Sequence, residues 1–282
     1  MELPFKINLE DKVAVITGGG GVLCGVFAQA LAQCGARIAL LDINLEAAQE
    51  QAVQVSNAGG RVEAFKADVL DRGGLQEVKQ KVTAELGACD ILINGAGGNH
   101  PRATTDKEYY QPGDCRQKEL QTFFSLEPEG IDFVFGLNFN GTLLTTQVFA
   151  RDMAEGSGGD IINVSSMNAF KPLTKIPAYS AAKAAVSNFT QWLAVHFSEV
   201  NIRVNAIAPG FFVTRQNENL LFNADGTPTS RAEKILNATP AGRFGREEEL
   251  VGSLLYLLSD GAGFVTGTVL PVDGGFSAYS GV

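Results

Sequence analysis

The chain has 282 residues, 45% of them apolar and 19% charged, with 32 glycines and 10 prolines. That profile excludes a disordered chain and a collagen-like repeat, and it leaves enough apolar residues for a sizeable core. With 22 lysines and arginines against 31 acidic residues the net charge is -9. This argues against a partner that is nucleic acid, because phosphate-backbone binding runs on positive charge, and it sends any nucleotide to a local pocket.

Short β-branched runs alternate with longer helical stretches along the chain. The pattern predicts a strand over 13–17, a helix to about 35, a strand over 37–42 and a helix over about 44–58. It continues with a strand over 62–68, a helix over about 74–86 and a strand over 90–94. A helix over 128–155, a strand over 160–165, a helix over 177–199 and strands over 202–208 and 267–272 complete it. Near-continuous apolar strands belong to a parallel sheet buried on both faces. The expected fold class is therefore α/β: a single doubly wound Rossmann-type domain over 1–282, with a seven-stranded parallel sheet and helices on both faces. Right-handed crossovers give the strand order 3-2-1-4-5-6-7. Two segments break the rhythm, about 97–127 and 210–245. Both follow the C-terminal ends of strands, where open α/β sheets bind ligands, and either could instead be surface elaboration.

The N-terminus lacks a basic region followed by a long apolar core, so neither a signal peptide nor a membrane span is expected. Cys24, Cys34, Cys89 and Cys115 form no C-x-x-C pair and have no histidine at metal-ligand spacing. They read as reduced thiols of a cytoplasmic protein, with no metal.

Directly after the first strand comes Thr17-Gly18-Gly19-Gly20-Gly21-Val22-Leu23-Cys24-Gly25, which opens a helix. Missing side chains at Gly18 and Gly21 let backbone amides, with those of Val22 and Leu23, approach a pyrophosphate at the positive end of the helix. The second strand ends in Asp42, placed to accept hydrogen bonds from adenosine ribose hydroxyls and to repel a 2′-phosphate, which favours NAD over NADP. Asp68 and Val69, at the end of the third strand, either face the adenine or, for Asp68, cap the next helix. Farther on, Tyr179 and Lys183 stand four residues apart in a predicted helix, so phenol and ammonium share one face. Asn163-Val164-Ser165-Ser166 ends the preceding strand, and Asn94-Gly95-Ala96-Gly97 ends the fourth.

In combination these motifs resemble the short-chain dehydrogenase/reductase family over nearly the whole chain. Asn138-Phe139-Asn140-Gly141 is similar to that family's N-L-x-G motif. Asn205-Ala206-Ile207-Ala208-Pro209-Gly210 followed by Thr214 is similar to its P-G turn, and Val272-Asp273-Gly274-Gly275 to its C-terminal signature. The glycine loop departs from the family pattern by placing Cys24 where a third glycine would stand. The resemblance implies a catalytic tetrad of Asn138, Ser166, Tyr179 and Lys183. Tyr179 would be the acid in ketone reduction and the base in alcohol oxidation, its pKa lowered by Lys183 and by oxidised nicotinamide. Ser166 would bond the substrate oxygen, Asn138 would hold a water in a relay reaching Lys183, and Lys183 would also contact the nicotinamide ribose. Asn94 would steady the backbone between strands while Ala96 and Gly97 pass near the ribose. Pro209, Gly210, Phe212 and Thr214 would border the cofactor, Thr214 fixing its carboxamide or phosphates. The resemblance also implies a homotetramer built through the helices around 130–155 and 177–199.

His196 falls near a helix end and reads as structural. His100, in Gly97-Gly98-Asn99-His100-Pro101-Arg102, makes either a substrate contact or a loop hydrogen bond. Polar and cationic residues crowd the segments around the tetrad, which suits a hydroxyl-rich acid better than a lipid. Candidate substrate contacts are His100, Arg102, Asn168, Lys175 and Arg215, the three cations being candidates for a carboxylate. The combination of G-G-G-G-V-L-C-G at 18–25, G-G-N-H-P at 97–101, S-S-M-N-A-F at 165–170 and the closing D-G-G-F-S-A-Y-S-G-V at 273–282 resembles D-mannonate oxidoreductases of the short-chain type, which implies NADH-linked interconversion of D-fructuronate and D-mannonate. Alternatives are a gluconate 5-dehydrogenase-like reductase of a polyol or keto-sugar acid, a 3-oxoacyl carrier protein reductase, and an NAD-sensing protein without chemistry. Asp42 and the negative charge count against the carrier protein reductase, and the intact tetrad against the sensor.

Overall fold

A computed structural model describes residues 7–214 and 217–281. Seven strands form one parallel sheet: β1 (Val13–Thr17), β2 (Arg37–Asp42), β3 (Val62–Lys66), β4 (Ile91–Asn94), β5 (Gly159–Val164), β6 (Ile202–Pro209) and β7 (Val269–Val272). Their order is β3-β2-β1-β4-β5-β6-β7, as the alternation of apolar runs and right-handed crossovers requires. The order reverses between β1 and β4, each paired along its length with the other. That reversal opens a crevice at the strand ends where Thr17 and Asn94 stand opposite one another.

Period-two alternation along the strands divides the core into two layers. Ala14, Ile16, Ile38 and Leu40 point to one face and pack with Phe27 and Leu31 of α1 (Val22–Gln33), Ala48 and Val55 of α2 (Leu45–Asn57) and, at the far end, the helix carrying Leu254 and Leu257. Val13, Val15, Ala39 and Leu41 point the other way. They meet Leu75 and Val78 of α3 (Arg72–Glu85), and Phe149, Met153 and Leu193 from the two long helices behind them. Among the described residues no helix is long and apolar enough to cross a membrane.

The stretch predicted as one helix over 128–155 is two, α4 (Pro128–Phe135) and α5 (Gly141–Glu155), joined by a π-helical turn at Gly136–Asn140. Next come α6 (Pro177–His196), then α7 (Glu218–Leu221) and α8 (Ser230–Ala238) within the second irregular segment, and α9 (Val251–Leu258). The helix α9 has no counterpart among the predicted elements, because its run Val251-Gly252-Ser253-Leu254-Leu255-Tyr256-Leu257-Leu258 is too short and too uniformly apolar to show a helical period. A parallel β6-to-β7 connection nevertheless demands a crossover, usually helical.

Candidate active site

The loop between β1 and α1 is shaped by what surrounds it. Gly18 has φ +67°, and a Cβ there would lie 2.9 Å from the Ala96 nitrogen, so only glycine fits both the backbone and the gap. Gly21 precedes α1 in an extended conformation without capping its first amides, which leaves them available to an anion. Where a third glycine was expected, Cys24 is buried and donates its thiol toward the Thr17 carbonyl at 3.5 Å. A Cβ on Gly95 would sit 2.2 Å from its sulfur, so the thiol fills the space that glycine leaves. Burial, and then the charge of Asp42, push the Cys24 thiol up to about 12, which keeps it protonated and unreactive.

At the end of β2, Asp42 accepts the Gly20 amide at 3.0 Å on one oxygen and the Asn44 amide at 2.9 Å on the other. Each carboxylate oxygen keeps a further lone pair for a ribose hydroxyl, so the group suits a dinucleotide. Asp68 is exposed and accepts the Leu70 amide at 2.9 Å. The cap of α3 is Asp71, which accepts from Gly74. Val69 is buried, and a Cβ on Gly141 would lie 2.7 Å from its methyl carbon. The closing glycine of Asn138–Gly141 thus lets α5 approach β3's end.

A buried polar chain ties the strands to the helices behind them. The Asn94 amide donates to Asn163 Oδ1 at 2.9 Å and to Thr146 Oγ1 at 3.0 Å, and the Asn163 amide donates to Thr190 Oγ1 at 2.9 Å. Asn94 therefore joins β4, β5 and α5 through its side chain. The Thr17 hydroxyl accepts the amides of Gly95 and Ala96 at 3.1 and 3.3 Å, fixing the turn beside the crevice.

On this frame the four tetrad residues converge. Asn138, fully buried in the π turn, donates to the carbonyls of Gly98 at 2.7 Å and Val134 at 2.8 Å, and accepts the Gly98 amide at 3.2 Å. The missing side chain of Gly97 marks the meeting point, since a Cβ there would stand 2.7 Å from Asn138 Oδ1 and 3.1 Å from Lys183 Nζ. Lys183 donates to the Val164 carbonyl at 2.8 Å, with its ammonium 5.7 Å from the centre of the Tyr179 ring. Burial lowers the Lys183 ammonium to about 8. Ser166, two residues past the end of β5, caps the short turn Met167–Ala169 and accepts the Asn168 amide at 3.3 Å. Burial raises the Tyr179 phenol above its ordinary value, and a hydrogen bond with Ser166 opposes that rise. The net direction is upward, where the resemblance implied a lowered phenol.

Residues 12–223 match the family model described as short chain dehydrogenase. The chain belongs to the short chain dehydrogenase family. A crystal structure from Haemophilus influenzae, provisionally assigned as a D-mannonate oxidoreductase and holding NAD, is 59% identical, with 98% of each chain covered and a TM-score of 0.93. A Bacillus subtilis oxidoreductase of uncharacterized activity, UxuB, is 51% identical over 99% of this chain and 100% of its own. The 2-dehydro-3-deoxy-D-gluconate 5-dehydrogenase of Dickeya dadantii is 34% identical over 96% of this chain and 97% of its own.

In this short chain dehydrogenase the P-G turn is locked to the C-terminal signature. Gly210 donates to the Val272 carbonyl at 2.9 Å, and a Cβ on Gly210 would meet the Asp273 backbone at 2.6 Å. Pro209 pairs with Val272 at the end of β6. Phe212 turns its ring into the core against Gly245, leaving its backbone toward the loop, where its carbonyl accepts from Asn217. The Thr214 amide donates to Asn217 Oδ1 at 2.8 Å, ahead of α7.

Of the proposed substrate contacts, His100 makes the loop hydrogen bond: its Nδ1 accepts the Arg102 amide at 3.1 Å, and its ring lies 5.0 Å from that of Phe133. Arg102 is exposed and paired with Glu127 at 2.9 Å. Asn168 is buried with its Oδ1 unpartnered. Lys175 lies at φ +73° and its carbonyl accepts the Thr105 amide at 2.8 Å. Arg215 lies outside the described residues. His196, in the last turn of α6, stacks on Trp192 at 4.6 Å. Sequence reasoning missed Glu108 and Lys234, which join the two irregular segments through a carboxylate–ammonium pair at 3.0 Å. Nothing in their local sequence separates them from other surface charges.

Proposed function

We propose that this dehydrogenase interconverts D-fructuronate and D-mannonate with NADH, as a cytoplasmic homotetramer. The convergence of Asn138 and Lys183 at Gly97, with the Tyr179 ring 5.7 Å from the Lys183 ammonium, carries the reading. The relative assigned as a D-mannonate oxidoreductase with NAD bound supports the substrate and the cofactor. Asp42 supports NADH over NADPH, because its carboxylate would repel the additional phosphate.

When bound, NADH supplies the hydride and, once oxidised, a positive charge beside the phenol. Gly18, Gly21, Val22 and Leu23 offer backbone to the pyrophosphate, Asp42 holds the adenosine ribose, and Asp68 with Val69 borders the adenine. Ala96, Gly97, Pro209, Gly210, Phe212 and Thr214 line the nicotinamide half. Ser166 donates a hydrogen bond to the ketone oxygen, and Tyr179 delivers its phenolic proton to that oxygen as charge develops there. A phenol held above its ordinary value by burial is well kept as a proton donor. Lys183 bonds the nicotinamide ribose and, with Asn138, refills the phenol through water. Replacing Tyr179 by Phe removes that proton and little volume, so kcat should fall by about 10²–10⁴ while the NADH dissociation constant stays nearly unchanged. Turnover close to wild type would sink the mechanism.

A second reading, reduction of a keto-gluconate, draws on the 2-dehydro-3-deoxy-D-gluconate 5-dehydrogenase relative. It shares the chemistry and differs only in the acid.

A further inference from the structure

The first irregular segment is held in a fixed shape by its own polar groups. The Asp106 carboxylate accepts the Gln121 amide at 2.6 Å, Gln121 Nε2 donates to the Pro101 carbonyl at 2.7 Å, and Lys107 pairs with the buried Asp114 at 2.6 Å. The Thr105–Lys175 backbone bond fastens this segment to the turn that leads into α6, and Ala103 packs in one apolar cluster with Tyr179. Glu108 therefore projects from an anchored segment whose Ala103, five residues earlier, packs in one cluster with Tyr179. Its two oxygens each receive Lys234 Nζ at 3.0 Å from α8. The charges of Lys175 and of Arg231, one helical turn before Lys234, also act on that carboxylate and hold it below the usual range.

Lys234 thus bonds one carboxylate where the two irregular segments meet, and the charges of Lys175 and Arg231 act on the same carboxylate. The Lys234 side chain is 66% exposed and that of Glu108 31%, so the pair is hydrated and weakly held. An incoming carboxylate can replace Glu108 on the same donors at little cost, since one acceptor is exchanged for another of the same charge. The ketone and the carboxylate of a sugar acid stand at opposite ends of its chain, which requires a cation set apart from the phenol.

We propose that Lys234, with Lys175, receives the substrate's carboxylate, and that Glu108 holds that place until the substrate arrives. The proposal rests on the sugar-acid reading above. It makes Lys234 a residue that reads the charge of the substrate and Glu108 a competitor for the same cation. Released from Lys234, Glu108 would no longer tie the first segment to α8, so binding of the acid and freedom of α8 are linked.

The test is the binding of D-mannonate and of its uncharged counterpart D-mannitol to the NADH-saturated enzyme by calorimetry, in wild type, K234M and E108Q. Loss of a charge-assisted hydrogen bond in K234M should weaken D-mannonate by about tenfold or more, with D-mannitol unchanged. E108Q should tighten D-mannonate severalfold, again without moving D-mannitol. Equal shifts for acid and alcohol, weaker D-mannonate binding in E108Q, or no D-mannonate binding in wild type would each overturn the proposal. Steady-state turnover of D-fructuronate separates the two readings. Turnover unaffected by K234M leaves the function standing and removes Lys234 from it. Mannonate bound through Lys234 without turnover does the reverse.

Discussion

Burial of the Lys183 ammonium has a consequence for stability that can be given a sign. Its folded value of about 8 lies below the ordinary 10.5. Between those limits the unfolded chain binds more protons than the folded one, so stability rises with pH there. The penalty for burying the charge is full below pH 8 and relieved as pH approaches 10.5, and a gap of this size corresponds to about 3 kcal/mol. Lys183→Met removes the titration while keeping most of the volume. Urea unfolding of both proteins should show wild type gaining on the variant across that window, whereas a pH-independent difference would contradict the buried-charge account. At this scale the tetrad was legible because each member sits in a short motif with fixed spacing. The neighbours that set its electrostatics were not. Asn138 and Lys183 both crowd the space that Gly97 leaves without a side chain, and Glu108 meets Lys234 across 126 positions of sequence.

Among the elements, α1 and the β4 end approach each other through an exchange of volume between Cys24 and Gly95. Gly95→Ala would press its methyl onto the Cys24 sulfur at 2.2 Å and onto the Thr17 carbonyl at 2.8 Å, which should cost about 1–3 kcal/mol. Cys24→Ala relieves the first contact and leaves the second, so Gly95→Ala should cost about 1 kcal/mol less in that background. Denaturant melts of the four proteins measure this, and an identical cost in both backgrounds would show that the two sites do not share the space. The sequence pattern marked Cys24 as a departure from a glycine motif, but its compensation lies on another strand. The π turn at Gly136–Asn140 was hidden for a similar reason. Apolar periodicity continues through it, whereas the Gly141 amide reaches back five residues to the Gly136 carbonyl and the Asn138 side chain donates to the Val134 carbonyl at 2.8 Å. The strands were easier to read because burial on both faces leaves long apolar runs.

For the whole molecule, the outer face of α6 bears Trp192 and Val195, 55% and 77% exposed, with Trp192 stacked between Phe189 and His196. Such a face is poorly suited to water and supports the proposed assembly through the long helices. Sedimentation velocity should give the mass of a tetramer, and Val195→Glu should shift it toward smaller species, while a monomeric wild type would remove the assembly from the account. The central claim concerns the reaction, and steady-state reduction of D-fructuronate, 5-ketogluconate and D-fructose with NADH and NADPH tests it most directly. The account predicts D-fructuronate with NADH as the preferred pair, favoured over D-fructose by about 100-fold in kcat/KM through its carboxylate. Efficient reduction of 5-ketogluconate with none of D-fructuronate would contradict it.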